Sequence, residues 1–396
     1  MNQNAKPTHE SIPFIILLGS LTAFDPLSID MYLPAFPQIS KTFSVGASAV
    51  ELSLSAFFIG LALGQLIYGP LTDIYGRKKP LIIGMLIYFA ASIGCFLSPN
   101  IQIFIGFRIL QALGGCSGMV ITRAIVSDLY DKKRAAHIYS MLMLVMGIAP
   151  ILAPFLGGLV SKYFGWPAIF AVLAILSLIS TICTIFFLPE THRPSTTSTR
   201  SVLGYLDLFK DKVFMSYSLS GGLMRAAMFA YIAGSPFVFI NLFKVPAEKY
   251  GLIFGANALG IIGAAQINRL LLKHYALEKI YQQIILVAGL IAVILLINSV
   301  FVHSIYALLI PLFLFMTSMG FIFPNSAALA LANQGHRAGM ASALLGTLQW
   351  SIAFFSSFFV SYFNNGTPIP MAGVIFVSTI LAIICLLPIM KAKHEN

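Results

Sequence analysis

Apolar residues run along this chain in blocks of about 20, separated by short polar breaks that hold most of its lysines and arginines. A helix rises 1.5 Å per residue, so a block of that length crosses roughly 30 Å of hydrocarbon. The pattern predicts twelve membrane-spanning helices: 13–37, 48–71, 80–98, 101–123, 136–160, 166–188, 213–240, 248–270, 278–301, 303–331, 338–363 and 369–390. One polar break is much longer than the others, PETHRPSTTSTRSVLGYLDLFKDK from Pro189 to Lys212. It divides the chain into an N-terminal six-helix bundle (1–188), a cytoplasmic linker (189–212) and a C-terminal six-helix bundle (213–396). The linker opens rich in Ser, Thr and Pro, a flexible composition. Its end, LGYLDLFKDK, is predicted as a short interfacial helix. The halves read as weak repeats, since span 2 ends GQLIYGPLTDIYGRKK and span 8 ends GIIGAAQINRLLLKHY, each Gly-rich, then polar, then basic. The predicted fold is therefore an all-α polytopic membrane protein of two pseudo-symmetric halves. In transporters built that way the binding site lies between the halves near the bilayer midplane.

Composition narrows the function. Of 396 residues, 58% are hydrophobic and 9% charged, whereas soluble domains carry about 25% charge. The net charge of +11 does not indicate nucleic-acid binding, because the charges sit in separate loops rather than on one face. With the N-terminus inside, 18 of the 24 basic residues fall on the cytoplasmic side, including Lys6, Arg77, Lys78, Lys79, Arg123, Lys132, Lys133, Arg134, Arg193, Arg200, Arg337 and Lys393. Lys41, Lys162, Lys244 and Lys249 fall outside, and Arg108 and Arg225 fall within spans. The positive-inside rule then puts both termini in the cytoplasm. MNQNAKPTHE is polar and the first apolar block is too long for a signal core, so span 1 is read as retained. Cys95, Cys116, Cys183 and Cys385 stand alone in apolar segments and suggest neither disulfide nor metal. No cofactor is expected. GxxxxGK[ST], GxSxG and HExxH are absent, which argues against an enzyme or an ATP-driven pump. A channel, which would lack a proton-coupled step, is set aside.

Several polar residues interrupt the apolar blocks. In GQLIYGPLTDIYGRKKP, Gly64 and Gly69 permit close packing, Pro70 and Gly76 shape a turn, and Asp73 can pair with Arg77, Lys78 or Lys79. Arg108 lies in RILQALGG within span 4, and a mid-span arginine faces a partner or water; bracing of backbone carbonyls is the plainer role. GIAPILAPFLGG combines Gly147, Gly157 and Gly158 with Pro150 and Pro154, small residues and bends in span 5. FDPLSIDMYLPAFP in span 1 holds Asp25, Asp30, Pro26, Pro34 and Pro37. Each proline there removes a helical hydrogen bond, tolerated where a helix lines a wet cavity or packs on protein. Loss of water favours a neutral acid, so Asp30, in the outer half of span 1, is the candidate proton carrier, with Arg108 as the charge that tunes it and Asp25 as a further proton-coupling candidate; a static helix brace or outer-vestibule residue is the plainer role of Asp30. Asp25 and Arg225 each lie twelve residues into the first span of their half, which suggests a contact across the halves in one access state. Arg225 binding an anionic part of the substrate is the competing role. Glu51 reads as a solvated helix-end acid, with a part in proton coupling as the alternative, and His274, His303 and His336 as solvated loop-edge residues. Tyr32, Phe57, Phe58, Phe229, Tyr231, Asn257, Asn325, Gln349 and Trp350 are the candidate substrate-cavity residues, with lipid-facing or packing roles as the alternative.

These segments carry a resemblance. GQLIYGPLTDIYGRKKP resembles the loop 2–3 signature of the major facilitator superfamily. RILQALGG resembles its span-4 motif, whose arginine is linked to proton coupling, and GIAPILAPFLGG looks like its drug/proton antiporter motif. LSIDMYLPAFP, LALGQLIYGPLTDIYGRKK and, more thinly, GSPFVFI resemble the bicyclomycin-resistance (Bcr/CflA) exporters. The resemblance implies a proton-driven exporter of small amphipathic molecules or drugs in a bacterial inner membrane, its partners being substrate, protons and lipid. It implies a cytoplasmic gate at Gly69, Asp73, Gly76, Arg77 and Lys78; a monomer is expected. A dedicated exporter of one metabolite, such as a siderophore, peptide or amino acid, is the alternative on the same fold.

Overall fold

The computed structural model of the chain describes residues 12–130, 132–191, 207–302, 304–334 and 338–392. Lys6, Arg193, Arg200, Arg337, Lys393, His303, His336 and most of the linker lie outside the described residues. The N-terminal half holds α1 (Ile12–Asp30), a 3-10 turn (Leu33–Ala35), α2 (Phe36–Phe43), α3 (Ala47–Tyr75), α4 (Lys78–Phe96), α5 (Ile101–Leu129), α6 (Lys132–Phe164) and α7 (Pro167–Phe187). The C-terminal half holds α8 (Lys212–Pro236), a π-helical segment (Phe237–Leu242), α9 (Ala247–Leu271), α10 (Leu277–Phe301), α11 (Ile305–Leu331), α12 (Ala338–Tyr362), α13 (Ile369–Ile384) and α14 (Leu387–Ala392). Among the described residues, twelve segments are long and apolar enough to cross a membrane, as the hydropathy pattern predicts. Large apolar side chains such as Ile83, Ile179 and Leu290 point outward, where hydrocarbon rather than water is their natural solvent.

Local chemistry sets the ends. Asn100 caps α5 by accepting from the Ile103 amide at 2.9 Å, and Asp211 caps α8 by accepting from Val213 and Phe214, each at 3.0 Å. Gly76 (φ 81°) closes α3, in a conformation that a Cβ would oppose. Two differences from the predicted spans bear on the site. Span 4 runs on to Leu129, so Arg123 is a helix residue and not a loop residue. Span 1 is broken after Asp30. Of its prolines only Pro26 sits within α1; Pro34 and Pro37 open the 3-10 turn and α2, where a missing amide proton leaves no bond unmade.

The halves meet along two helix pairs, α3 with α12 and α6 with α9. On α9, Gly251 and Gly255 lie one turn apart and admit Phe155 and Ile151 of α6: a Cβ on Gly251 would lie 3.0 Å from the Phe155 amide nitrogen. Such small residues at four-residue spacing let helix backbones approach closely.

Candidate functional site

The break in α1 organises the N-half site. A helix end leaves carbonyls without intrahelical partners, and Arg108 Nη2 donates to the Ser28 carbonyl at 3.0 Å. Its Nη1 donates to Gln111 Oε1, and Gln111 in turn donates to Ser92 Oγ at 2.8 Å. Arg108 is 0% exposed, and its guanidinium carbon sits 4.2 Å from the ring centres of both Tyr32 and Phe57. Two aromatic faces and a backbone carbonyl thus compensate the buried charge. The structure does not pair Arg108 with Asp30. Tyr32 and Phe57 are engaged by Arg108, so they are walls of the N-half rather than open cavity surface.

Asp30, the last residue of α1, lies instead within electrostatic reach of two phenols of the other half, Tyr231 on α8 and Tyr250 on α9. Tyr231 accepts from Asn257 Nδ2 at 2.8 Å, and Tyr250 shares a 2.7 Å hydrogen bond with Ser235. An acid of one bundle is thus within electrostatic reach of a hydrogen-bonded polar cluster in the other. Phe58, Phe229 and Trp350 form an aromatic cluster across the bundles, with Phe58 and Trp350 stacked at 5.8 Å. Gln349 is half-buried on α12. Asn325 lies elsewhere: it and Asn268 exchange amide hydrogen bonds of 2.9 Å inside the C-half.

Asp25 and Arg225 are not in contact. Asp25 is 3% exposed and both its oxygens are buried without a hydrogen-bond partner. It faces α5, where a Cβ on Gly115 would lie 3.2 Å from its Oδ1. Arg225 holds its guanidinium 4.5 Å over the Phe323 ring, with its Nε buried and unpartnered. Arg123 of α5 is within electrostatic reach of both. The sequence reading missed this role because a basic residue near a span end reads as a topology signal.

The basic loop closes on its own half. Arg77 bonds Asp73 at 2.9 Å and Asp128 of α5 at 2.8 Å. Glu190, after α7, accepts from the amides of Arg77 at 2.7 Å and Lys78 at 3.1 Å, a carboxylate on the N-terminus of α4. Lys78 Nζ reaches the Ile185 carbonyl at 2.7 Å. Gly69 accepts from Thr72 through its carbonyl at 2.9 Å, and Thr72 receives Arg77 Nη1 at 2.9 Å. Asp128 and Glu190 belong to this network and were not foreseen.

At the opposite end the halves are joined by a polar ladder. Ser361 Oγ donates to the Ser48 carbonyl at 2.5 Å, Asn364 Nδ2 to Glu51 Oε1 at 2.8 Å, and Ser55 Oγ to Ser357 Oγ at 2.8 Å. Positions 48, 51 and 55 share one face of α3, as 357, 361 and 364 share one face of α12 and its exit. Glu51 is 0% exposed, which corrects its reading as a solvated acid: it lies a turn inside α3 rather than at its end, and α12 covers it. In the α6 motif, Gly147 packs on Ile262, Gly157 on the Met31 carbonyl and Gly158 on Ala247. Pro150 and Pro154 lie within α6.

Known proteins resemble the chain along nearly all its length. The sequence profile of the Major Facilitator Superfamily matches residues 18–357. An MFS-type transporter of Bacillus subtilis, YdgK, is 36% identical over 97% of each chain. A bicyclomycin resistance protein homolog of Haemophilus influenzae is 27% identical, covering 93% of this chain and 94% of its own. Among solved structures, the xylose transporter XylE of Escherichia coli, in a partially occluded inward open conformation, superposes with a TM-score of 0.72 at 13% identity, over 95% of this chain and 96% of its own.

Proposed function

The chain belongs to the Major Facilitator Superfamily, and on that premise we propose that it is a proton-coupled exporter of small amphipathic molecules or drugs. It acts as a monomer in a bacterial inner membrane with both termini in the cytoplasm, the basic end facing inward. The bundles 1–188 and 213–396 rock about the interface between them, joined by the 189–212 linker. The relative named for bicyclomycin resistance supports a drug as cargo. The observation that carries the proposal is Asp30: a buried acid at a broken helix end, within electrostatic reach of Tyr231 and Tyr250 of the other bundle. Proton and substrate each bias one access state, and the difference in their affinities for the two states couples them.

In this reading Asp30 carries the proton, and Arg108 holds the helix end that carries Asp30. Asp25 and Arg225 meet in a different access state, and Arg225 otherwise receives an acidic group of the substrate. Gly69, Asp73, Gly76, Arg77 and Lys78 act as the cytoplasmic gate, while Gly147, Pro150, Pro154, Gly157 and Gly158 shape the helix that slides on α9. Phe58, Phe229, Tyr231, Asn257, Gln349 and Trp350 contact the cargo. The test is proton release: candidate drugs are added to purified, unbuffered protein and the pH is followed. Release by a drug in wild type and its loss in Asp30→Asn is the expected result. Release that survives in the variant refutes the role of Asp30, and no release from any drug refutes proton–drug competition.

A further inference from the structure

Glu51 has no part in the scheme above, yet it is among the most enclosed carboxylates of the chain. It stands on the second turn of α3, at the end away from the basic loops, 0% exposed. One oxygen is bound from the other half by Asn364 at 2.8 Å; the second, Oε2, is buried with no partner. The Asn364 amide is oriented to donate, since its own oxygen accepts from the Gly366 amide at 3.2 Å. Asn364 is therefore a fixed donor, and Oε2 is the position left for a proton.

The surroundings offer no other compensation. The cleft at Glu51 is lined by Gly234, Phe237 and Val238 from α8 and its π-helical extension, by Val360, Asn364 and Thr367 from α12 and its exit, and by Pro370 and Met371 from α13. None of these side chains titrates or carries charge. Of the elements packed on α3, α2 carries Lys41, which is exposed; α4 carries Lys78 and Lys79 at its basic-loop end; and α8 carries Lys212 at its start and Arg225, whose guanidinium lies over Phe323. α5 carries Arg108, whose guanidinium is taken up by Tyr32, Phe57, Gln111 and the Ser28 carbonyl, and Arg123 and Asp128 towards its basic-loop end. An ionised carboxylate without water or a cation is strongly disfavoured, so the joined ladder fits Glu51 with a proton on it.

We infer that Glu51 is a second proton-binding site, set in the outer latch, and that its proton is what allows the two halves to close on the outer side. This rests on the proton-driven cycle proposed above, with the ladder end facing outward. When the halves part on that side, Ser48, Glu51 and Ser55 separate from Ser361, Asn364 and Ser357, and Glu51 meets external water. There it exchanges its proton with the medium. Ionised, it resists return to the dry interface; protonated, it docks under Asn364. External acidity thus favours the state closed outside, the direction that resets an exporter for its next cargo.

The test reads the latch directly, without substrate or gradient. Ser44 and Asn365, both exposed and on opposite halves at this end, are changed to cysteine and spin-labelled in full-length protein whose four cysteines have been replaced. Distances between the labels are measured by pulsed electron resonance in lipid nanodiscs from acidic to alkaline pH. The expected result is a single short distance at acidic pH and a growing longer-distance population at alkaline pH. Glu51→Gln keeps the acceptor for Asn364 but cannot ionise, and stays short throughout; Glu51→Asp restores the transition. A transition in Glu51→Gln like that of its parent overturns the inference, as does a parent with no transition. Proton-driven drug uptake by the parent in inverted vesicles is followed separately, so failure of the latch and failure of proton coupling give different results.

Discussion

Adjacent glycines in the α6 motif offer a controlled comparison. A Cβ on Gly157 would lie 1.7 Å from the Met31 carbonyl oxygen and 2.5 Å from its carbon, whereas a Cβ on Gly158 would lie 3.4 Å from the Ala247 carbonyl oxygen. The second distance is an ordinary contact; the first is near a covalent bond length. Alanine is better than glycine in a helix by about 1 kcal/mol, and that gain applies to both positions. At 158 nothing opposes it, so Gly158→Ala is neutral or stabilising by up to about 1 kcal/mol. At 157 the methyl group meets backbone where α1 breaks, and neither rotamer change nor a flexible tip relieves it. α6 must withdraw by well over an ångström, an overpacking cost of about 1–3 kcal/mol or more that outweighs the propensity gain. The assay is the apparent melting temperature in one detergent at one scan rate, since unfolding of such proteins is commonly irreversible. A lower value for Gly157→Ala and an equal or higher value for Gly158→Ala is expected. Equal shifts for both would refute the reasoning.

Further predictions address the gate, the proton and the C-half core. Gly76→Ala combines an unfavourable backbone, φ 81° and ψ −179°, with a Cβ placed 2.6 Å from Glu190 Oε2. It is expected to cost about 1–3 kcal/mol and to slow export, and a variant with wild-type melting and transport would count against this account. Asp30→Asn is expected to abolish uphill export in inverted vesicles while drug still equilibrates down its gradient; retained uphill export would exclude Asp30 as the carrier. Asn268→Leu or Asn325→Leu alone leaves a buried amide unpaired, a loss of about 1–3 kcal/mol. The double variant is expected to lose less than the sum of the two, and simple additivity in thermal melts would show that the pair is not coupled.

Most of the architecture was legible because hydrocarbon imposes it: a span must be long, apolar and internally hydrogen-bonded, and twelve segments satisfy that. Loop 2–3 was legible because its order of glycine, proline, acid and base is written locally. What a residue faces was not. Glu51 reads as a surface acid until α12 brings Asn364 onto it, 313 positions away in sequence. The serines of the ladder look like any small polar residues in a helix, and only the pairing of α3 with α12 gives them a role. Arg123 differs from a topology signal by depth alone. Asp30 and Arg108 fall at similar depth, yet rotation about their helices sends one towards the C-half and buries the other under Tyr32 and Phe57. Periodicity assigns a face to a residue but not the neighbour across from it.

The ladder between α3 and α12 also bears on turnover. Its three rungs each contribute about 0.5–1.5 kcal/mol net, since water replaces each bond as the halves part. A seam of interlocked large apolar side chains would hold the same surfaces together far more firmly and leave nothing for water to bind on separation. Hydroxyls and one amide instead give a joint strong enough to fix register yet weak enough to open within the thermal range. This closure therefore sets a low energetic ceiling on one step of the cycle, so that, with the ladder end facing outward as proposed, cargo release need not wait on the breaking of a core.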